Sequence, residues 1–265
     1  MCPYCREEII AAAVKCRFCQ TMLDGSVNTP QGTTPGGATP MPGQPAWAIG
    51  GAIAAGTMIR EYRFEALLGK GGMGEVYRAN HTFTGQQVAI KVLYADLMRD
   101  EQSSRRFIEE GRVMAGLRHP NIVEFANFFE ESGRYFLVME FIDGETLDNL
   151  LDRRPLSVEE AIQIADAVLS ALEFAHSRPQ PVIHRDIKPA NIMLSKDGRV
   201  VVADFGIAKA IGREKLTRTQ GVVGTYEYMS PEQVRGDEVS FATDLYAFGV
   251  TLYKMLTGVV SFLQK

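Results

Sequence analysis

Past residue 19 the sequence has no cysteine; all four lie at its start. Charge is missing between residues 25 and 59, where no Lys, Arg, Asp or Glu occurs. No apolar run approaches the roughly 20 residues that a membrane-spanning helix needs. The longest uncharged apolar stretch, Ala46 to Ile59, is short and glycine-rich. The N-terminus lacks the basic-then-apolar run of a secretory signal, so the expected location is the cytoplasm. An excess of basic charge is absent too. The 28 Lys and Arg stand against 32 Asp and Glu, a net −4, which predicts neither nucleic acid nor an anionic membrane as partner. The rest is ordinary for a globular protein. At 46% hydrophobic and 23% charged, 265 residues allow one large domain or two unequal ones.

Three segments follow from composition. Residues 1–24 hold Cys2-Pro3-Tyr4-Cys5 and Cys16-Arg17-Phe18-Cys19, two C-x-x-C knuckles. A piece this short cannot bury enough apolar surface to fold unaided, so a staple is expected. Four thiolates from Cys2, Cys5, Cys16 and Cys19 suit a tetrahedral structural Zn²⁺, and folding and metal binding would be one event. Disulfides fit a cytoplasmic chain poorly, and a redox C-x-x-C would stand alone beside a βαβ pattern. The segment resembles a zinc-ribbon module. Residues 25–59 carry Pro30, Pro35, Pro40, Pro42 and Pro45 among Gly and Thr, with Trp47 as their one aromatic. That composition predicts a flexible linker, with Trp47 unpartnered.

From residue 60 to 265 regular elements are expected. Strand-like runs cover Tyr62 to Leu68, Glu75 to Asn80, Gln87 to Leu93, Phe125 to Glu130 and Tyr135 to Glu140, with a helix near Ser103 to Leu117 among them. Later helical runs cover Thr146 to Asp152, Val158 to His176 and Phe241 to Leu256. A β-rich half followed by an α-rich half reads as α+β with two lobes.

Several motifs carry chemistry. Gly69-Lys70-Gly71-Gly72-Met73-Gly74-Glu75-Val76 is a G-x-G-x-x-G-x-V loop. Its glycines let backbone N–H groups approach phosphate oxygens. A dinucleotide fingerprint would need a helix next, whereas Val76 onward reads as strand. Val88-Ala89-Ile90-Lys91 places a lysine on an apolar strand. Downstream stand His184-Arg185-Asp186-Ile187-Lys188-Pro189-Ala190-Asn191, then Asp204-Phe205-Gly206 and Ser230-Pro231-Glu232.

In order and spacing these motifs resemble a eukaryotic-type protein kinase, and most nearly the bacterial Ser/Thr kinases. The resemblance covers residues 60–265. It implies a two-lobed kinase-like fold and transfer of the ATP γ-phosphate to protein Ser/Thr hydroxyls, with autophosphorylation and a signalling role. It further implies that Lys91 pairs the α- and β-phosphates, held by a helix carboxylate at Glu110, and that Asn191 and Asp204 ligate Mg²⁺ (or Mn²⁺). Asp186 would accept the hydroxyl proton and Lys188 would steady the γ-phosphoryl group. Met139 would guard the adenine pocket, the backbone of Glu140 and Ile142 would bond the base, and Val76, Ala89 and Met193 would sandwich it. Asp244 would anchor the catalytic loop, while His184 would pack in the core with Met114, Phe125 and Phe205. His81 is expected on an exposed turn, and His119 and His176 are expected to be structural.

Kinases of this type continue past the position of Lys265 through further helices, so the fold is expected to be C-terminally truncated, with Glu232 buried and unpaired. Arg185 beside Asp186 calls for an anion, and Thr217 and Thr219 are expected to supply it as phosphothreonines. Two other functions fit less well: a catalytically impaired nucleotide-binding scaffold, and a zinc-ribbon interaction protein with a kinase remnant. The first is disfavoured because Lys91, Asp186, Asn191 and Asp204 are all present.

Overall fold

The computed structural model describes Trp47 and residues 51–72, 74–94, 109, 111, 113–205 and 226–260. The four cysteines, Met73, Glu110, Thr217 and Thr219 lie outside the described residues.

Alternating burial builds the first sheet. Strands β1 (Met58–Ile59), β2 (Tyr62–Gly71), β3 (Gly74–His81), β4 (Gln87–Leu93), β5 (Phe125–Glu131) and β6 (Arg134–Glu140) form six antiparallel strands in the order β1-β2-β3-β4-β6-β5. Tyr77 and Ala79 of β3 turn to one face and pack with Phe64, Ile90 and Phe136. Val76 and Arg78 point the other way and are half-buried. At the β2–β3 turn a Cβ on Gly74 would run into the Val92 carbonyl oxygen, so only glycine fits there.

The linker composition of residues 25–59 misled at its C-terminal end. Trp47 is not unpartnered: its ring packs edge-on against Phe136 at 6.2 Å. Ile53 and Ile59 are buried in the same cluster. The Gly56 N–H donates to the Phe64 carbonyl at 2.8 Å, and the Phe64 N–H to the Thr57 carbonyl at 2.9 Å. Backbone groups need no side-chain charge to join a sheet, so composition could not reveal this.

The helical half is set by caps and one apolar stripe. Helix α1 (Leu147–Arg153) starts at the Thr146 hydroxyl, which accepts from the Asn149 N–H at 3.2 Å. Helix α2 (Val158–His176) opens with a capping box of Ser157 and Glu160. The Arg154 guanidinium beside Glu160 holds that carboxyl down at about 2. Ile164, Val168, Ala171, Leu172 and Ala175 form the buried face of α2, each large aliphatic contributing about 1.5–3 kcal/mol by leaving water. They meet Leu147, Ile187, Ile192, Ala247 and Met255 in the second core. Helices α3 (Pro231–Arg235) and α4 (Phe241–Thr257) each begin in a capping box and end at a glycine of positive φ, Gly236 and Gly258. Strands β7 (Gly144–Thr146), β8 (Ile192–Ser195) and β9 (Val200–Val202) make a small antiparallel sheet. Of the helix expected near Ser103 to Leu117, Glu109, Gly111 and residues 113–115 are described, as helix. No helix among the described residues is long and apolar enough to cross a membrane.

Candidate active site

Between the two sheets lies a cavity of about 650 Å³, and its walls gather the motifs from distant parts of the chain. The β2–β3 hairpin contributes Gly69, Lys70, Gly71, Gly72, Gly74 and Val76. Strand β4 adds Ala89 and Lys91, the end of β6 adds Met139 and Glu140, and the segment after it adds Ile142. Asp186, Lys188, Asn191, Met193 and Asp204 close it from the helical half. A Cβ at Gly69 or Gly71 would meet no protein atom within 4 Å. Protein packing therefore does not demand glycine there, whereas close approach of a ligand to the backbone would.

Lys91 is 6% exposed, and its Nζ lies 2.6 Å from Asp204 Oδ2. Asp204 is thus its partner among the described residues. On the opposite wall Lys188 Nζ donates to both carboxylate oxygens of Asp186, at 3.1 and 2.9 Å. The Asn191 Nδ2 donates to the Asp186 carbonyl at 2.7 Å and to its carboxylate at 3.1 Å. That orientation spends the amide nitrogen and leaves the amide oxygen for a cation. The Ala203 N–H donates to the Asn191 carbonyl at 2.9 Å, which sets Asp204 beside Asn191. A carboxylate and an amide oxygen are hard donors that fit Mg²⁺ or Mn²⁺. Among the described residues no group of three or more His, Cys, Asp or Glu could hold a metal.

The loop around Asp186 is held by buried polar contacts. Asp244 is fully buried and accepts from the His184 N–H and the Arg185 N–H, each at 2.7 Å, with His176 Nε2 at 2.8 Å. Asp244 lies in the first turn of α4, where the helix dipole favours a carboxylate. The His184 ring is core, as its sequence context predicts, 4.5 Å from Phe205. Its Nδ1 accepts from the Asp186 N–H at 3.2 Å, so the ring proton sits on Nε2 and is donated to the Ala203 carbonyl at 2.8 Å. One imidazole thereby ties Asp186 to the strand that delivers Asp204. Met114, Phe125 and Phe205 meet at a small apolar pocket beside it. Arg185 and Asp204 both have positive φ, 70° and 63°, a conformation that non-glycine residues keep only where surrounding contacts enforce it.

Other expected placements differ. Glu232 is neither fully buried nor unpaired: it is half-buried, and the Thr243 hydroxyl donates to it at 2.6 Å. That hydrogen bond is the main reason its carboxyl sits below the usual range. His81 ends β3 and sets its ring edge-on to Tyr62. His119, by contrast, fits its expected structural role and stacks on Phe174 at 5.0 Å.

Sequence reasoning also passed over two contacts and one buried donor. Gln233 Nε2 donates to the Arg185 carbonyl at 2.8 Å, which links the α3 cap to the loop that carries Asp186. The Ser230-x-x-Gln233 capping pattern was the available signal. Arg199 binds the Glu140 carboxylate at 2.8 Å, which engages that side chain at the rim of the cavity. Arg185 Nε is buried with no hydrogen-bond partner among the described residues.

Comparison with known proteins agrees with this geometry. The protein kinase domain family model matches residues 62–265. The probable serine/threonine-protein kinase PknB of Lactococcus lactis is 43% identical over 203 residues, 76% of this chain and 32% of that protein. PrkC of Bacillus subtilis is 39% identical over 202 residues, 76% of this chain and 31% of that protein. The chain thus spans about a third of the length of these curated relatives. The crystal structure of a Mycobacterium tuberculosis PknI kinase domain double mutant superposes with a TM-score of 0.67 at 32% identity, covering 80% of this chain and 81% of that one. With its motifs lining one cavity between two lobes and relatives of this kind across the same residues, the chain belongs to the protein kinase domain family.

Proposed function

We propose that the chain transfers the γ-phosphate of ATP to serine and threonine hydroxyls of protein substrates, itself included, as a signalling kinase. The observation that carries this reading is the cavity in which Lys91–Asp204 faces Asp186–Lys188 beneath an open glycine hairpin. Phosphoryl transfer asks mainly for positioning and charge neutralisation. Val76, Ala89 and Met193 form the apolar slot for the adenine, beside the backbone of Glu140 and Ile142, with Met139 at its back. Gly69, Gly71, Gly72 and Gly74 expose backbone N–H groups to the phosphates, and Lys91 pairs the α- and β-phosphates. Asn191 and Asp204 would hold Mg²⁺ or Mn²⁺, which when bound neutralises phosphate charge. Asp186 takes the proton from the incoming hydroxyl, and Lys188, already at hand, turns to the transferred group. The D-x-K-P-x-N form of this loop supports Ser/Thr over Tyr. The test is incorporation of label from γ-labelled ATP into phosphoserine or phosphothreonine, dependent on added Mg²⁺.

The same reading extends to two places outside the described residues. Residues 1–24 would be a zinc ribbon built on Cys2, Cys5, Cys16 and Cys19, followed by a linker and the kinase domain. Four free thiolates on a metal presuppose a reducing compartment, which supports a cytoplasmic location. Elemental analysis should then give one zinc per chain, lost on chelation and in the paired Cys16→Ser, Cys19→Ser variant. A metal-free chain with all four thiols titratable would refute the module.

The second place is the stretch that holds Thr217 and Thr219. Arg185 Nε, without a hydrogen-bond partner among the described residues, supports a phosphate as the anion it calls for, since phosphorylation adds about −1.5 to −2 charges and three acceptor oxygens. The Thr217→Ala, Thr219→Ala double variant should lose about tenfold or more in activity toward an added substrate, the equivalent of one charge-assisted hydrogen bond. Full activity of that variant, with no phosphate found between residues 207 and 225 by mass spectrometry, would remove the switch.

A further inference from the structure

The segment before β1 has no charged side chain, yet charged groups of the sheet hold it. Arg134, 4% exposed, donates through one nitrogen to the carbonyls of Trp47 and Gly51, at 2.7 and 3.0 Å. Two residues on, the Ile53 N–H donates to the Tyr77 hydroxyl at 3.1 Å. That hydroxyl donates in turn to Glu75 Oε2 at 2.5 Å, and Glu75 Oε1 pairs with Lys70 Nζ at 2.7 Å. Lys70 and Glu75 stand opposite each other in the β2–β3 register, next to the glycine turn. A continuous path therefore runs from the leading segment to the phosphate-facing hairpin.

The path has a fixed direction. A phenol that accepts from an N–H has one proton to give, and here it goes to Glu75. Burial pushes the Glu75 carboxyl up, but the bonds from Lys70 and Tyr77 and the nearby Arg134 charge more than offset it, so it sits below the usual range. Glu75 is thus a buried anion whose two oxygens are both engaged.

We propose that Trp47 and residues 51–53 act as a strap that fixes the glycine hairpin, with Tyr77 and Glu75 as positioning residues for nucleotide binding. The proposal rests on the reading of the cavity as an ATP site. Glycines at positions 69, 71, 72 and 74 leave the hairpin few side chains of its own to hold it, and ordering a loose backbone at the moment of binding weakens affinity. Glu75, clamped from outside by Tyr77, orders the hairpin beforehand. Linkage makes the effect reciprocal: bound ATP tightens the strap, and whatever holds or releases the segment ahead of Trp47 changes ATP affinity.

The experiment uses the full chain with Mg·ATP as the probe. Tyr77→Phe removes one oxygen and keeps the ring against Phe64 at 5.5 Å, so the core persists. Its Kd for Mg·ATP should rise about fivefold: of the two hydrogen bonds lost, from Ile53 and to Glu75, the one to Glu75 is what orders the hairpin. Amide exchange across residues 69–76 should quicken, while transfer at saturating ATP stays within about twofold. Trp47→Ala touches the far end of the strap only, and it should weaken ATP in the same direction. The double variant should be no weaker than Tyr77→Phe alone, because both cut one path. Unchanged affinity in Tyr77→Phe, unchanged exchange in the hairpin, or effects that multiply in the double variant would each overturn the strap. A wild-type chain that binds ATP but transfers no phosphate would sink the transferase reading and leave the strap standing. A wild-type chain that binds no ATP would end both.

Discussion

Asp186→Asn should abolish measurable autophosphorylation while leaving ATP binding nearly intact. The substitution keeps the size of the side chain and an oxygen to accept from Asn191, so the loop has little reason to move. What it removes is the ability to take up a proton, a function that contributes about 10²–10⁴-fold when a side chain serves as general base. It also releases Lys188, whose Nζ now binds both carboxylate oxygens at 3.1 and 2.9 Å. A freed ammonium beside the phosphates favours ATP, so affinity should hold or rise. Labelled-phosphate incorporation and a separate ATP titration measure the two effects. Incorporation undiminished in this variant would take Asp186 out of the base role, and equal losses in both assays would mean that the carboxylate serves to shape the pocket.

The parts of this site that were legible in the sequence are those in which one short window holds both the chemistry and its geometry. In the stretch from His184 to Asn191 the acid, the lysine and the amide are a few residues apart, and a single turn brings them together. Strand β4 and helix α2 also match the boundaries read from apolar runs and caps, because β4 is a nearly continuous apolar run and α2 is long enough to show its period. The small sheet was not seen, since β7, β8 and β9 have three or four residues each and show no alternation. The strap was missed for a different reason. Its binding groups are backbone oxygens, and the Arg134 that finds them lies 87 positions from Trp47. The pairing of Lys91 with Asp204 spans 113 positions. Each residue is recognisable alone, but nothing in either local window names the other. Glu232 shows the reverse error: its motif was read correctly, but the half-exposed position and the Thr243 hydroxyl depend on where α4 packs.

Asp244 should prove the most costly residue to lose outside the cavity. It is fully buried and receives three hydrogen bonds, two of them from consecutive backbone N–H groups of the catalytic loop. Those two donors sit next to the positive φ of Arg185, so the carboxylate holds a strained backbone in place as well as satisfying it. Asp244→Ala leaves both N–H groups buried without an acceptor and should cost about 3–5 kcal/mol of stability. Asp244→Asn is the sharper test. Its amide presents one oxygen and one NH₂, and the NH₂ must confront either the His184 N–H or the Arg185 N–H. If the NH₂ faces His184, His176 Nε2 loses its acceptor as well; if it faces Arg185, the strained residue alone is abandoned. The second choice gives up less, so the expected cost is about 1–3 kcal/mol, one unsatisfied donor. Activity should fall further than stability, because the abandoned N–H belongs to the residue before Asp186. His176→Ala, by contrast, leaves both backbone donors paired and should cost about 1 kcal/mol. Urea denaturation of the three variants, beside phosphate incorporation at a temperature where all are folded, separates these cases. A stability loss under about 1 kcal/mol in Asp244→Ala, with incorporation intact, would show that the loop keeps its shape without this anchor.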